Sequence, residues 1–515
     1  MLRNVLDLLP VRRREARFLA DPAAAQERLL KDLLHRAAST EWGRRFGFAD
    51  LAARRDVGQA YRERVPLHGY EDLRGDVRRM QAGEENILWP GAIRHYAVSS
   101  GTVAAGKLIP MSLETARANS DFAVATAMAY TSAVGSTRWL RGSLLTVPGR
   151  AERDPAYPRT IAGEMSGLMY LFGPWYAKSL LQCLSERVLF MPRWEDKLRA
   201  IAETTWRRDV RSIAMVPSWA VVLFPLVIET FNRATGAKAT CLREVWPNID
   251  VFFSGAVALS SYEALLREQI GGDAPIHFME SYGASEGVFS ARRAPTDHDM
   301  LLTLDSGVYY EFVRMDDPSE SPRRCRIDEV ETGVRYRMVV STCSGLWAYG
   351  VGDVIRFTST HPHRIVVAGR TNEMLDRYGE AVFGEEARAA VEHACSETGS
   401  FVRDWHVTCI APASGRLPRH QWLLEFAGDA PDATRFAALL DEHLQRVNRH
   451  YTIRRECGAF EAPVITVLPP ETFRRWLHAT RDRVGAQTKV PRMSEDRGMA
   501  DGVLGQAETI HPTST

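Results

Sequence analysis

Residues 99–110, SSGTVAAGKLIP, bring hydroxyls, small residues and one lysine together in a way that suits phosphate chemistry. From Gly101 the spacing is that of a Walker loop, in which backbone N–H groups surround phosphate, a lysine reaches the outer phosphates and a Ser or Thr binds magnesium. Leu108 stands where that hydroxyl is needed, and Pro110 opposes the helix that should follow. Ser99, Ser100 and Thr102 precede Lys107 instead, while Gly101 and Gly106 allow a polyphosphate to approach the backbone closely. The stretch reads either as a phosphate loop without its own metal ligand or as a plain Ser/Gly loop.

Three further stretches carry candidate chemistry. SYGASEG (281–287) follows the apolar run IHFME and reads as a turn at a strand end, where α/β sheets place ligands. Tyr282 could pack on a base and Glu286 could supply a hard oxygen to Mg²⁺; a capped turn with a solvated glutamate is the alternative. In LWAYGVGDVIRF (346–357), Asp353 follows a Gly-rich turn and could accept both ribose hydroxyls, or simply cap the turn. Arg370 follows in the turn AGRTNEM, and far downstream VGAQTKVPR (484–492) holds Lys489 off any amphipathic face, able to reach a phosphate oxygen or to remain solvated.

The elements that must position these residues can be read from periodicity. Residues 1–90 are mostly helical, with apolar positions at 3–4 spacing in AAAQERLLKDLLHRAAST. GAIRHYAV leads as a strand into the quoted loop, and a helix over 112–134 follows with Ser112 as N-cap. Between 140 and 270 the strands GSLLTVPG, RVLFMP, SIAMVPS and IDVFFSG alternate with the helices EDKLRAIAETTW and SSYEALLREQI, which predicts an α/β core with a largely parallel sheet. From about 300, GVYYEFVRM, RYRMVVSTC and VIRFTST predict a smaller antiparallel sheet. A separate α+β unit follows residue 370, and the polar tail 493–515 reads as disordered.

The 515 residues are 45% hydrophobic and 25% charged with net charge +1, which gives no global reason for nucleic acid or an anionic membrane as partner. The seven cysteines form no C-x-x-C pair, so their spacing suggests neither a zinc site nor a thioredoxin motif and fits a reducing cytosol. The apolar start MLRNVLDLLP is cut short by Pro10 and Arg12–Arg14, which predicts neither a signal peptide nor a span.

In order and spacing these motifs resemble the Gretchen Hagen (auxin-responsive promoter) family of acyl acid amido synthetases, in the adenylate-forming superfamily that includes firefly luciferase and acyl-CoA ligases. The family's S-S-G-T-x-x-G-x-x-K loop is similar to SSGTVAAGKLIP, with the lysine one place early; its Y-x-x-S-E motif is similar to Tyr282–Glu286 and its Y-R-x-G-D motif to Tyr349–Asp353. SGAVAL (254–259) resembles its adenine-wall segment and AQTKVPR its C-terminal lysine segment, so the likeness runs from about residue 30 to 492. Gly350 departs from the family's arginine, and Val103 and Ala104 from its second threonine and small residues.

The resemblance implies a luciferase-like α/β fold with a large domain over 1–370, a small mobile α+β domain over 371–492 and a hinge near Gly369–Asp376, in a bacterial member of the family. It implies that Ser99, Ser100, Gly101, Thr102 and Lys107 hold the phosphates of ATP, that Glu286 holds Mg²⁺, and that Asp353 holds the ribose, with Arg370 on ribose or phosphate. Gly255, Ala256, Tyr282, Gly283, Ala284 and Ser285 would line the adenine, and Lys489 would neutralise charge at the α-phosphate. A carboxylic acid would be adenylated and passed to an amine, in this family usually an amino acid, by a cytoplasmic monomer or weak dimer. Its acyl pocket is expected among helix 112–134 and the segments 167–176 and 215–224, with His95 and His277 bordering the motifs. A thioester-forming ligase, a non-catalytic relative and a Walker NTPase are the rival readings.

Overall fold

Asp21 accepts a hydrogen bond from the backbone of Ala24 at 2.9 Å and so starts the helix Pro22–Ala37, whose apolar side is buried at Leu30, Leu33 and Leu34. Its buried Gln26 donates to the carbonyls of Leu304 (2.7 Å) and Val308 (3.0 Å) and accepts from the Tyr310 amide (2.7 Å), which fastens the N-terminal helices to the sheet. The computed structural model describes residues 15–99, 107–173, 175, 177–272, 274–317, 319, 322–370, 373–378, 380–411, 417–456, 459–480 and 489–508. Its contacts divide the chain into two units, residues 1–351 with 355–366 and residues 352–354 with 367–515.

In the first unit, β1 (His95–Ser99) and β2 (Lys107–Met111) form an antiparallel hairpin. β3 (Ser143–Thr146) opens the main sheet, while β4 (Ala151–Arg153) and β5 (Ile161–Gly163) return to the hairpin, giving a small sheet ordered β2-β1-β5-β4. The main sheet continues through β6 (Val210–Ala214), β7 (Val251–Ser254), β8 (His277–Ala284), β9 (Gly287–Ala291) and β10 (Met300–Leu302). It is completed by β11 (Val308–Arg314), β12 (Arg324–Cys325), β13 (Arg335–Thr342), β14 (Tyr349–Thr360) and β15 (His363–Arg370), of which residues 352–354 and 367–370 fall in the second unit. β3, β6, β7 and β8 run parallel, as the alternation of helices and strands predicts; from β9 onward the pairings β8–β9, β9–β10 and β10–β15 are antiparallel.

The β-rich stretch after residue 300 is not a smaller separate sheet: its strands join the parallel ones in a single 11-stranded sheet ordered β12-β11-β13-β14-β15-β10-β9-β8-β7-β6-β3. RVLFMP is not a strand either, because Ser185 opens a single helical turn, Glu186–Leu189, that seats Leu189 in the core before Pro192 ends it. The helix Leu113–Val134 forms as read, with the Ser112 hydroxyl accepting from the Thr115 amide at 3.1 Å. The same cap is tied to the turn before β14: the Ser112 hydroxyl donates to the Cys343 carbonyl (2.6 Å), and the Ser112 amide donates to the Ser344 hydroxyl (2.9 Å).

One buried charge on β11 makes a stability prediction. Glu311 is 1% exposed, lies 3.4 Å from Arg324, and neither of its oxygens has a hydrogen-bond partner among the described residues. Burial, partly offset by Arg324 and Arg62, pushes its carboxyl up to about 7 from an ordinary value of 4.5. A carboxyl raised in the folded state costs nothing below its unfolded pKa, where it is protonated in both states. The cost sets in as pH rises from 4.5 and is complete above about 7. Glu311→Gln should therefore gain in Tm relative to wild type between about pH 5 and about pH 7.5 by scanning calorimetry, whereas a pH-independent offset would mean that the carboxyl is ionised throughout.

In the second unit, β16 (Met374–Leu375) pairs with β17 (Val382–Phe383), and a sheet ordered β20-β19-β18-β21 is built from β18 (Val402–Ile410), β19 (Arg419–Phe426), β20 (Val464–Leu468) and β21 (Met493–Ser494). Alternation along β18 and β19 gives the sheet two apolar faces. Trp405, Val407, Trp422 and Leu424 share one core with residues of the helices Gly384–Thr398 and Ala433–Val447, whereas Leu423 shares the other with Phe473 and Leu477. The tail is not disordered from 493: β21 and the helix Gly498–Glu508 are formed, because Ala500 and Val503 are buried against Phe473 and Leu477. Among the described residues no helix is long and apolar enough to cross a membrane.

Candidate adenylation site

The phosphate-loop candidate sits across the β1–β2 hairpin, whose register sets Ser99 directly opposite Lys107. Ser100, Gly101 and Thr102 lie outside the described residues. Lys107 lies over the ring of Tyr70, its Nζ 5.9 Å from the centroid, and the next amide, Leu108, donates to the Tyr70 hydroxyl at 2.9 Å. Tyr70 opens the helix Tyr70–Gln81, so that helix fixes where the loop re-enters the sheet.

SYGASEG is a hairpin rather than a turn at the end of IHFME. β8 runs on through Tyr282 to Ala284, and Ala284 pairs with Gly287 across the two-residue turn Ser285–Glu286. The register shifts between Tyr282 and Gly283, and the β9 backbone comes so close that a Cβ on Gly283 would sit 3.0 Å from the Gly287 carbonyl. A side chain there would push that carbonyl back by a few tenths of an ångström, so glycine suits the approach. Glu286 is thereby held at 6% exposure. Tyr282 is buried with its ring 5.3 Å from that of Phe289.

Gly255 and Ala256 come directly after β7, beside that hairpin. Ser281 Oγ donates to the Ser254 carbonyl (2.9 Å), and Glu280 accepts from the Leu259 amide on one oxygen (2.9 Å) while its other oxygen pairs with Arg292 (2.9 Å). These bonds lock the segment in a tight bend in which Ala256 adopts φ 72°, an uncommon conformation for a residue with a Cβ. A Cβ on Gly255 would press to 3.2 Å from Ser281 Oγ.

Tyr349 joins these pieces. It is fully buried at the start of β14, in a parallel bridge with His68. Burial and then the charge of Glu286, with a further contribution from Tyr70, hold its phenol well above the ordinary tyrosine range. The first unit thus brings Lys107, Tyr70, Tyr349 and Glu286 into one electrostatic neighbourhood. Reading the motifs passed over Tyr70 and gave Tyr349 no role; Tyr70 stands far from any motif, and only the hairpin bond to Leu108 reveals it.

The second unit holds the other candidates. Asp353 is 7% exposed, with an oxygen 3.4 Å from Arg370 Nε. Lys489 keeps an exposed surface, yet crowding by protein, and next the charge of Arg370, push its ammonium down to about 8 against the pull of Asp353 and Glu373. A strap holds the residues after it: the Val407 amide donates to the Arg492 carbonyl (2.8 Å), Arg492 pairs with Asp404 (3.0 Å), and the Pro491 carbonyl meets His406 Nδ1 (2.8 Å). Burial keeps that imidazole neutral, its pKa lowered to about 4, so Nδ1 carries the proton and donates.

The remaining expectations fall out unevenly. The helix Leu113–Val134 and the helix Met165–Phe172 do meet, with Phe122 packed among Met169, Val288 and Ala291, whereas Trp219 of the helix Pro217–Thr235 packs against Trp194 instead. His95 lies edge-on to Phe172, and His277 Nδ1 is 3.0 Å from the Tyr130 hydroxyl. Both histidines are engaged in packing or hydrogen bonding.

The candidate phosphate hairpin, the carboxylate on its hairpin turn and the strap after Lys489 are carried on an adenylate-forming fold. Across 95% of its length the chain shares that fold with 2-hydroxyisobutyryl-CoA ligase in the postadenylation state in complex with R3-HIB-AMP (TM-score 0.56, 15% identity, 93% of that chain). It matches the GH3.15 acyl acid amido synthetase with a TM-score of 0.74 and 19% identity, over 95% of this chain and 94% of that one. The chain belongs to the GH3 family: the GH3 family N-terminal domain matches residues 12–153, the central domain 301–370 and the C-terminal domain 385–498. The probable indole-3-acetic acid-amido synthetase GH3.1 of Oryza sativa subsp. japonica is 26% identical over 548 aligned positions, covering 92% of this chain and 87% of the relative.

Proposed function

We propose that the protein is an ATP-dependent acyl acid amido synthetase that adenylates a carboxylic acid, releasing pyrophosphate, and then passes the acyl group to an amine, of the amino acid class, releasing AMP. The observation that carries this reading is the buried Glu286 carboxylate presented on its hairpin turn in the same neighbourhood as Tyr349, Tyr70 and Lys107. The donor fits magnesium: one hard carboxylate oxygen in a site that leaves other positions to phosphate and water. Bound there, the ion would neutralise charge on the departing pyrophosphate.

The work left to the chain is positioning and charge neutralisation. Ser99, Ser100, Gly101 and Thr102 hold phosphate through hydroxyl and amide donors, with Lys107 alongside. Gly255, Ala256, Tyr282, Gly283, Ala284 and Ser285 enclose the adenine, while Asp353 accepts from the ribose with Arg370 as its partner. Lys489 supports the acid's attack on the α-phosphorus. The near-neutral net charge gives no reason to expect nucleic acid or an anionic membrane as partner, and the reading takes the protein as a cytoplasmic monomer or weak dimer acting on a small acid and amine.

Purified protein should show pyrophosphate exchange only when a suitable carboxylic acid is present, and AMP release with amide formation once an amine is added. A thioester formed with CoA in place of an amide would move the reading to a CoA ligase, and ATP binding without acid-dependent exchange would move it to a non-catalytic relative. Acid-independent phosphate release would indicate an NTPase.

The lysine strap adds a test. Arg492→Ala removes the Asp404 pair and the bond to the Trp405 carbonyl while leaving Lys489 in the chain. Exchange should fall about tenfold, the cost expected for a small displacement of a catalytic group, and Arg492→Lys should recover part of it. An unchanged rate with an unchanged Tm would show that the strap does not position the lysine.

A further inference from the structure

Three side chains in the second unit meet outside everything used so far. Cys409 on β18 and His420 on β19 are register partners, which points them to the same face, and Glu380 reaches them from the loop between β16 and β17. All three are buried, at 2%, 0% and 0% exposure. Glu380 Oε1 lies 3.3 Å from Cys409 Sγ and 3.2 Å from His420 Nε2, and the three donor atoms all fall within 4.8 Å of one another. The other oxygen, Oε2, accepts from the Tyr378 amide at 2.8 Å, which fixes the plane of the carboxylate.

The set is the right chemistry for a borderline-soft divalent ion: one sulfur, one imidazole nitrogen and one carboxylate oxygen. Zinc bonds of about 2.0 to 2.3 Å at tetrahedral angles set such donors about 3.3 to 3.5 Å apart, and the two separations from Glu380 come within a few tenths of an ångström of that. Charge points the same way. As a hydrogen-bonded triad the cluster leaves a carboxylate in the core beside a neutral thiol, and His420 Nδ1 has no partner among the described residues. A divalent ion with carboxylate and thiolate ligands and a neutral imidazole sums to zero charge, which removes the penalty of a buried anion. The ring is already held for ligation between Tyr451 and Phe460, with centroids at 5.6 and 4.9 Å.

We propose that Glu380, Cys409 and His420 form a binding site for a divalent transition-metal ion of the zinc class, clamping the loop between β16 and β17 onto the sheet. The thiol gives up its proton to solvent as the ion binds, and the fourth coordination position is left to a water molecule. Spacing along the chain could not disclose such a site, because its ligands come from a loop and two separate strands.

The test uses the full-length protein purified without a metal-affinity step. Elemental analysis should find about one zinc per chain, and zinc added back after chelation should raise Tm by mass action. Cobalt(II) loaded into the chelated wild-type protein should show a thiolate charge-transfer band, absent in Cys409→Ser, and the six other cysteines make that variant the control that assigns the band. The wild-type measurements need no variant to fold. The proposal is overturned if the protein binds neither metal stoichiometrically, or if the cobalt band persists in Cys409→Ser; the cluster is then a hydrogen-bonded triad only.

Discussion

Lys489→Ala should lower acid-dependent pyrophosphate exchange by about two to three orders of magnitude, the loss expected when a preorganised donor to a developing anion is removed. Attack by the amine on supplied acyl-adenylate should fall much less, because the amine attacks the acyl carbon and not the α-phosphorus, and the only new charge on that phosphate is the one carried away by the departing AMP. The lysine's surroundings sharpen the expectation. Crowding by protein, then Arg370 and Arg492, disfavour its ammonium while Asp353 and Glu373 favour it, and the net shift is downward to about 8. Its cationic form is complete well below that value and is lost as pH rises through it, so wild-type exchange should decline on the alkaline side. Lys489→Arg, whose guanidinium stays charged, should retain some exchange and lose that decline. Equal loss in both half-reactions would remove Lys489 from the adenylation step, and an alkaline decline that survives in Lys489→Arg would belong to another group.

The parts of this molecule legible in the sequence are those set by local pattern. The helix Leu113–Val134 could be read because a Ser cap, a first-turn Glu and a closing Gly135 mark it, and the parallel strands because short apolar runs alternate with amphipathic helices. What escaped depends on partners distant in the chain. The strands after residue 300 read as a sheet of their own, since nothing within GVYYEFVRM or RYRMVVSTC states that β10 will pair with both β9 and β15. The helix Gly498–Glu508 was invisible because its pattern is weak, and it forms where Phe473 and Leu477 cover Ala500 and Val503. Within the candidate site the motif residues could be nominated from type and spacing. Tyr70, His406 and the partners of Glu380 could not, because each acts through a contact that only the fold creates.

Glu286→Gln should reduce exchange by about two to three orders of magnitude, and it should do so through the metal. The substitution keeps size and most hydrogen bonding but removes the negative charge that a hard cation requires. The turn should survive, because its geometry rests on the close approach at Gly283 and on the pairing of Ala284 with Gly287 rather than on the carboxylate. ATP binding measured by calorimetry separates the two roles. Wild type should bind ATP more tightly with magnesium than without, and Glu286→Gln should lose that increment while retaining its magnesium-free affinity. Tyr349→Phe gives the companion control: its buried hydroxyl interacts with the Glu286 carboxylate, so removing it takes away one orienting contact but no charge, and the magnesium increment should persist. A Glu286→Gln enzyme that keeps its magnesium increment would place the ion on another ligand. Loss of ATP affinity with and without magnesium alike would show that Glu286 shapes the nucleotide pocket instead of holding the metal.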